Sequence, residues 1–265
     1  MKLVVGIVAV AAVLAVPSTT GAGPQAGITM HWTVDGVQRN AIVFLPAPAA
    51  VPHPLVFAFH WHGGTAQSAM VQMHLQTLWP QAVVVYPQGL DSPSPLDPSG
   101  TQPGWQFTTS DSSGRDLAFF DAMVGTLKKR YRIDPREIYT TGFSNGAIFS
   151  YLLWSDRAKT IAAVGEVAGS LDPAAGLTSP RALLAVAGRQ DPIEPLAKQL
   201  GSINRARQAD HATGAGVPCG PMCTFYPSAD GNVTPVKTFI HTGGHVYPPW
   251  APLSIVRFFK AHRQP

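Results

Sequence analysis

The pentapeptide Gly142-Phe143-Ser144-Asn145-Gly146 is the part of this sequence whose residue types and spacing bear most directly on chemistry. It matches Gly-x-Ser-x-Gly and lies between a strand-like run (137–141) and a segment of helical periodicity (145–154). A serine on a sharp turn between strand and helix presents its hydroxyl at the sheet end, and only small flanking residues let the two elements approach that closely. The helix that follows points its unpaired N–H groups at the place where an oxyanion would form. The chemistry such a serine performs is acyl transfer. The plain alternative is a glycine-rich β–α turn with an idle serine, and the strand–turn–helix context weighs against it.

A serine hydroxyl needs an imidazole base at neutral pH, and the imidazole needs a carboxylate to fix its tautomer. In this arrangement the chain order is Ser, then Asp or Glu, then His. Asp191, in Ala-Gly-Arg-Gln-Asp-Pro-Ile, follows an apolar run at 182–187 and is the expected acid. Its rivals are Asp172, in Gly-Ser-Leu-Asp-Pro, and Glu194; taken alone, an aspartate before proline is more often a turn residue. His245, in His-Thr-Gly-Gly-His-Val-Tyr-Pro, is the expected base, because two glycines leave the backbone free to carry its ring over the serine. His241 is its rival, at the end of the strand itself.

Two N–H donors are needed for the oxyanion. One is expected from Asn145 and the other from the loop His60-Trp61-His62-Gly63-Gly64, from His62 with Gly63 as the neighbouring choice. His60 and His62 could also be read as two metal ligands, but no third ligand accompanies them, so no metal is expected. Trp61, Trp105, Phe107, Tyr247 and Trp250 fall on segments predicted to face one rim. Trp61, Trp105, Tyr247 and Trp250 are the expected substrate-binding residues, weighed against ordinary packing under long loops.

These residues must be positioned by a scaffold, and the rest of the chain reads as one. Asp35-Gly36 between short runs at 28–34 and 37–45 signals an antiparallel hairpin. Apolar runs at 55–59 and 82–86 read as buried strands, and 137–141, 161–167, 182–187 and 236–241 read as further strands. Helical spacing appears between Ser113 and Pro135, at 145–154, at 193–208 and at 253–262. Strands alternating with helices predict an α/β fold, with a mostly parallel sheet covered on both faces. Ligands of such sheets bind at the carboxyl ends of the strands, where all the residues singled out above fall. The stretch 87–114, rich in Pro, Ser, Asp and Gly, predicts a long loop of the kind that is often functional.

Composition is consistent with one large domain: 265 residues, 45% hydrophobic and 13% charged. The net charge of +4 is scattered, without the basic stripe that nucleic acid requires. Lys2, the apolar run 3–16 and the small residues up to Ala22 predict a signal peptide of residues 1–22. The run is shorter than the roughly 20 residues of a spanning helix, so the expectation is a secreted mature chain of one domain, 23–265, with no stable membrane anchor. Export and an even cysteine count predict a disulfide between Cys219 and Cys223; zinc ranks well below it.

Taken together, Thr141-Gly-Phe-Ser-Asn-Gly-Ala147, Ile161-Ala-Ala-Val164, Ala168-Gly-Ser170, Asp191-Pro192 and Gly243-Gly-His245 resemble the secreted polyhydroxybutyrate depolymerase and feruloyl esterase family of α/β-hydrolases. The similarity also takes in Phe59-His60, Gly104-Trp105 and Asp116, and it spans nearly the whole mature chain. The resemblance implies Ser144, Asp191 and His245 as a triad without metal or organic cofactor. It implies hydrolysis of feruloyl or acetyl esters on plant polysaccharide, or of short hydroxyalkanoate polyesters. A monomer is expected. The chain departs from the family pattern at Ala147, where Gly is frequent, at Trp61-His62, and at Val246-Tyr247 after the histidine. These changes leave the triad residues in place and alter the rim that meets the substrate. Two readings of other classes, an acyltransferase and a non-catalytic binding protein on the same scaffold, stand beside hydrolysis.

Overall fold

The computed structural model describes residues 26–47 and 51–264; the expected signal peptide, 1–22, lies outside them. In chain order the strands are β1 (Ile28–Val34), β2 (Val37–Phe44), β3 (His53–Phe59), β4 (Val83–Pro87), β5 (Leu90–Asp91), β6 (Pro103–Gly104), β7 (Ile133–Phe143), β8 (Ala163–Val167), β9 (Ala182–Gly188), β10 (Val217–Gly220), β11 (Cys223–Tyr226) and β12 (Val236–His241). The helices are α1 (Ala66–Met73), α2 (Leu75–Leu78), α3 (Arg115–Arg130), α4 (Asn145–Arg157), α5 (Leu196–Ala209) and α6 (Ala251–Ala261).

The runs that read as continuously apolar become the middle of a ten-stranded sheet ordered β1-β2-β4-β3-β7-β8-β9-β12-β11-β10. From β4 to β12 every pairing is parallel. Antiparallel hairpins close both edges. Asp35 and Gly36 both have positive φ, the conformation that a two-residue hairpin turn demands.

Alternation along the central strands divides the core into two layers. Leu55, Phe57 and Phe59 face the layer built with Phe120 of α3, Phe149 of α4 and Ile203 of α5. Val56 and Ala58 face the layer built with Ala69 of α1, Leu75 of α2 and Phe259 of α6. Burying one such aromatic or aliphatic side chain is worth roughly 1.5–3 kcal/mol. The sheet is therefore held from both sides, and its strand ends form a fixed platform.

Several elements differ from expectation. β7 begins at Ile133, several residues earlier than the periodicity predicts, and α3 begins at Arg115 rather than near Ser113, because Ser112, Ser113 and Gly114 are all left-handed. α1, α2, β10 and β11 carry no clear periodic signal and were not expected. The long loop 87–114 contains the small two-stranded sheet β5–β6. Cys219 and Cys223 form the disulfide, across the turn of the β10–β11 hairpin.

Candidate active site

Ser144 sits between β7 and α4 with φ 54° and ψ −120°, a conformation that costs a side-chain-bearing residue on the order of 1–3 kcal/mol. The surroundings hold it there. Its N–H donates to Val167 O at 2.9 Å, and its carbonyl accepts from Ala147 and Ile148. A Cβ on Gly146 would lie 2.3 Å from Phe59 O, and one on Gly142 would lie 2.2 Å from the Gly146 carbonyl carbon. Both glycines of the pentapeptide are therefore demanded by backbone contact.

His245 approaches from the loop after β12. That loop is tied to the loop after β9, since Arg189 N–H donates to His241 O and Gln190 N–H to Gly243 O. His245 Nε2 lies 2.8 Å from Ser144 Oγ, and its Nδ1 lies 2.8 Å from Asp191 Oδ2. The Asp191 side chain is fully buried. Its Oδ1 accepts from the N–H groups of Ile193 and Glu194 at 2.9 and 2.8 Å, and Gln199 Nε2 reaches Oδ2 at 3.3 Å. A carboxylate taken out of water needs such donors to be retained as an anion. It also selects the imidazole tautomer with hydrogen on Nδ1, leaving the Nε2 lone pair for the serine hydroxyl.

The rivals are occupied elsewhere. Asp172 Oδ1 accepts from Ala174 N–H in its own turn. Glu194 accepts from Ser170 Oγ and pairs with Lys198. His241 accepts from Gly243 N–H, which shapes the turn, and burial lowers its pKa despite the pull of Asp191.

Asn145 is the first residue of α4, so its N–H has no intrahelical acceptor. Its side chain is bonded both ways to the Trp105 backbone, accepting at 2.7 Å and donating at 2.9 Å. Gly63 N–H is already given to Pro103 O at 2.8 Å. The His60 ring is buried and locks the loop: Nδ1 bonds Trp61 O and Nε2 accepts from Gly89 N–H at 2.9 Å. Burial holds its pKa down at about 4, so it is neutral in these roles. The His62 ring is 3.3 Å from Asp97, whose carboxylate also accepts from Thr101 and Gln102 N–H.

The aromatic residues divide. Trp105 is only 1% exposed. Its ring packs against Phe59 and Phe149, and its Nε1 donates to His60 O. Tyr247 is likewise buried, edge-on to Phe143. The expectation that these two rings stand on the rim is corrected: each ring is taken into the core beneath the loops, and Trp105 spends its indole N–H on the backbone. Trp61 and Trp250 remain half-buried, against Phe143 and Phe239 respectively. Sequence reasoning did not single out Gln199 or Asp97. Each acts through a contact between residues distant in sequence, which spacing does not encode.

A serine elbow at the carboxyl end of a parallel sheet, faced by an imidazole and a buried carboxylate, is the arrangement of the α/β-hydrolases. No protein-family model matches the chain. Among curated proteins it is 30% identical over 224 residues to a probable feruloyl esterase C of Aspergillus flavus, covering 79% of this chain and 78% of that one. It is 29% identical over 201 residues to feruloyl esterase C of Emericella nidulans, covering 73% and 70%. Among solved structures, an acetyl xylan esterase from Aspergillus awamori shares the fold with a TM-score of 0.69 at 14% identity, over 88% of this chain and 99% of that one. The chain belongs to the feruloyl esterase family and is a serine carboxylic-ester hydrolase.

Proposed function

We propose that the chain hydrolyses feruloyl esters borne on plant polysaccharide, with acetyl esters as the smaller alternative, through an acyl-enzyme on Ser144. His245 takes the Ser144 proton as Oγ attacks the ester carbonyl. Asp191 holds the ring and stabilises the imidazolium. The N–H groups of Asn145 and His62 receive the oxyanion. His245 then returns the proton to the leaving alcohol, and water cleaves the acyl-enzyme by the same route. The observation that carries this reading is the unbroken line of two 2.8 Å contacts from Ser144 through His245 to the buried Asp191. The feruloyl choice is supported by the names of the curated relatives, whose cover exceeds two thirds of their own length.

Half-buried Trp61, which packs edge-on against Phe143 of the serine elbow, is the aromatic residue proposed to meet a phenolic acyl group, with Trp250, packed on Phe239, as a second. The working unit in this proposal is a single catalytic domain, 23–265, exported and monomeric. Among the described residues no helix is long and apolar enough to cross a membrane.

The test is a hydrolysis panel of methyl ferulate, p-nitrophenyl acetate, p-nitrophenyl butyrate, acetylated xylan and a hydroxybutyrate oligomer. Preference for methyl ferulate is the expected result. Ser144→Ala should lower kcat by about 10⁴-fold or more with the fold retained. Retained turnover in that variant would remove Ser144 from the mechanism, and preference for the hydroxybutyrate oligomer would replace the feruloyl reading.

A further inference from the structure

A cavity of about 420 Å³ opens in the long loop, between the segments 92–95 and 105–112. Its size lies in the range of small-ligand sites. Ser144, His245 and Asp191 are not among the residues that line it. It is nonetheless coupled to them, because Trp105, which lines it beside Gln106 and Phe107, is bonded through its backbone in both directions to Asn145, the residue after Ser144.

The lining chemistry is specific. Pro93, Pro95 and Phe107 offer apolar faces. Ser94 Oγ accepts N–H bonds from Leu96 and Asp97 at 3.2 and 3.1 Å, which leaves its own proton to give. Asp111 Oδ2 accepts from both Phe107 N–H and Thr108 N–H, at 3.0 and 2.8 Å, which leaves Oδ1 to accept. The exposed Ser112 hydroxyl stands at the lip. A hydroxyl proton to give, a carboxylate oxygen to receive and apolar faces beside them complement a pyranose or furanose ring, which presents hydroxyls at its edge and C–H bonds on its face. The Asp111 carboxylate repels anions, so an acidic sugar or a free phenolic acid is disfavoured.

The wall is also built in advance. Ser112, Ser113 and Gly114 are successive left-handed residues, with φ of 49°, 56° and 73°. For the two serines this conformation costs roughly 1–2 kcal/mol each. The network behind them holds it in place: Gln106 Oε1 accepts from Asp116 and Leu117 N–H, and the buried Asp116 accepts from Gln106 N–H and pairs with Arg39 at 2.8 Å. Strain of this kind persists where the surroundings over-determine it, and a pre-formed wall lowers the ordering cost of binding.

We infer that this cavity binds a neutral sugar unit of the ester's leaving alcohol, a subsite for the polysaccharide side of the substrate. The inference rests on the proposed esterase reading. Two variants test it. Ser112→Trp fills the lip; because a bulky side chain at φ 49° adds strain of its own, kcat/KM on methyl ferulate checks that the loop keeps its shape. Asp111→Asn keeps an oxygen for the loop N–H groups and replaces the free one with an amide. With kcat/KM measured on methyl ferulate and on a feruloylated arabinoxylan oligosaccharide, the ratio of oligosaccharide to methyl ester should fall at least about tenfold in Ser112→Trp and about threefold in Asp111→Asn. Ratios unchanged in both variants, or equal losses on both esters, overturn the subsite. Should the wild type hydrolyse neither ester, the esterase reading fails and binding decides the subsite independently. Calorimetric titration of Ser144→Ala with the unesterified oligosaccharide should then give heat that Ser112→Trp abolishes, and no binding at millimolar sugar overturns the proposal.

Discussion

At Gly146 a single methyl group would meet two main-chain carbonyl oxygens, those of Phe59 and His60, at 2.3 and 2.6 Å. Main chain cannot rotate aside as a side chain can, so Gly146→Ala should destabilise the fold by about 3 kcal/mol. Its urea midpoint should drop accordingly, with esterase activity lost in parallel. Gln199 illustrates a subtler role. Its amide supports the Asp191 oxygen that faces His245, and its backing is the buried interior of α5. Gln199→Met should lower kcat about threefold to tenfold and leave KM near its original value, because Asp191 loses aim while the substrate cleft is untouched. A loss confined to KM would argue that Gln199 serves only packing. Of these residues, the pentapeptide was legible because its glycines are fixed by local geometry. Ser144, Asp191 and His245 were legible from chain order, and the structure brings their side chains within hydrogen-bond reach. Gln199 was not, because a glutamine inside an amphipathic helix carries no mark of what it faces.

Besides the pairing of β3 with β7 in the sheet, the segments proposed to carry the oxyanion donors are stitched together by the loop 87–114. His60 binds Gly89, Gly63 binds Pro103, Asn145 binds Trp105 and His62 meets Asp97. Asp97 is the one carboxylate in this stitching. The cost of removing it from water acts against ionisation, and hydrogen bonds from Gln102, Thr101 and His62 outweigh that cost and lower its pKa. Asp97→Ala should loosen the register of the His62 N–H and reduce kcat about tenfold, with a smaller change in melting temperature than a core substitution produces. A wild-type kcat in that variant would separate the loop from the oxyanion site. The sheet itself was largely legible, since its central strands are apolar on both faces and its first hairpin turns on Asp35-Gly36. β10 and β11 were hidden by their short, mixed composition; their pairing depends on the neighbouring β12 and the adjacent disulfide. Trp105 and Tyr247 were misplaced for a related reason: in a loop of no period, sequence does not say which way a ring turns.

Over the whole molecule, two buried groups tilt stability with pH in opposite senses. Burial pushes the Asp210 carboxyl up to about 9, aided by Asp230 and opposed by the N–H and charge of Arg181, and one of its oxygens has no partner among the described residues. The folded chain therefore keeps a proton that an unfolded aspartate releases near pH 4. Stability falls as pH rises through that window. His60, held near 4 against an ordinary value of 6.5, contributes the reverse, losing stability as pH falls from 6.5 towards 4. Between those limits the two slopes offset one another, and above pH 6.5 only the Asp210 slope of the pair remains, with the buried Glu166 carboxyl, also pushed up by burial, acting in the same sense. Asp210→Asn should thus gain on the wild type by more than about 1 kcal/mol between pH 5 and pH 8 in urea unfolding, and equal offsets at both pH values would refute the assignment. The same global view bears on time. The serine and its base are 101 residues apart, and the base follows the last strand of the parallel run. A chain growing from its N-terminus completes the elbow long before it owns an imidazole to arm it. Any product of interrupted synthesis or of C-terminal clipping ahead of His245 thus carries an unarmed serine, and the sheet's connectivity acts as a clock that withholds catalysis until the segment after β12 has been made.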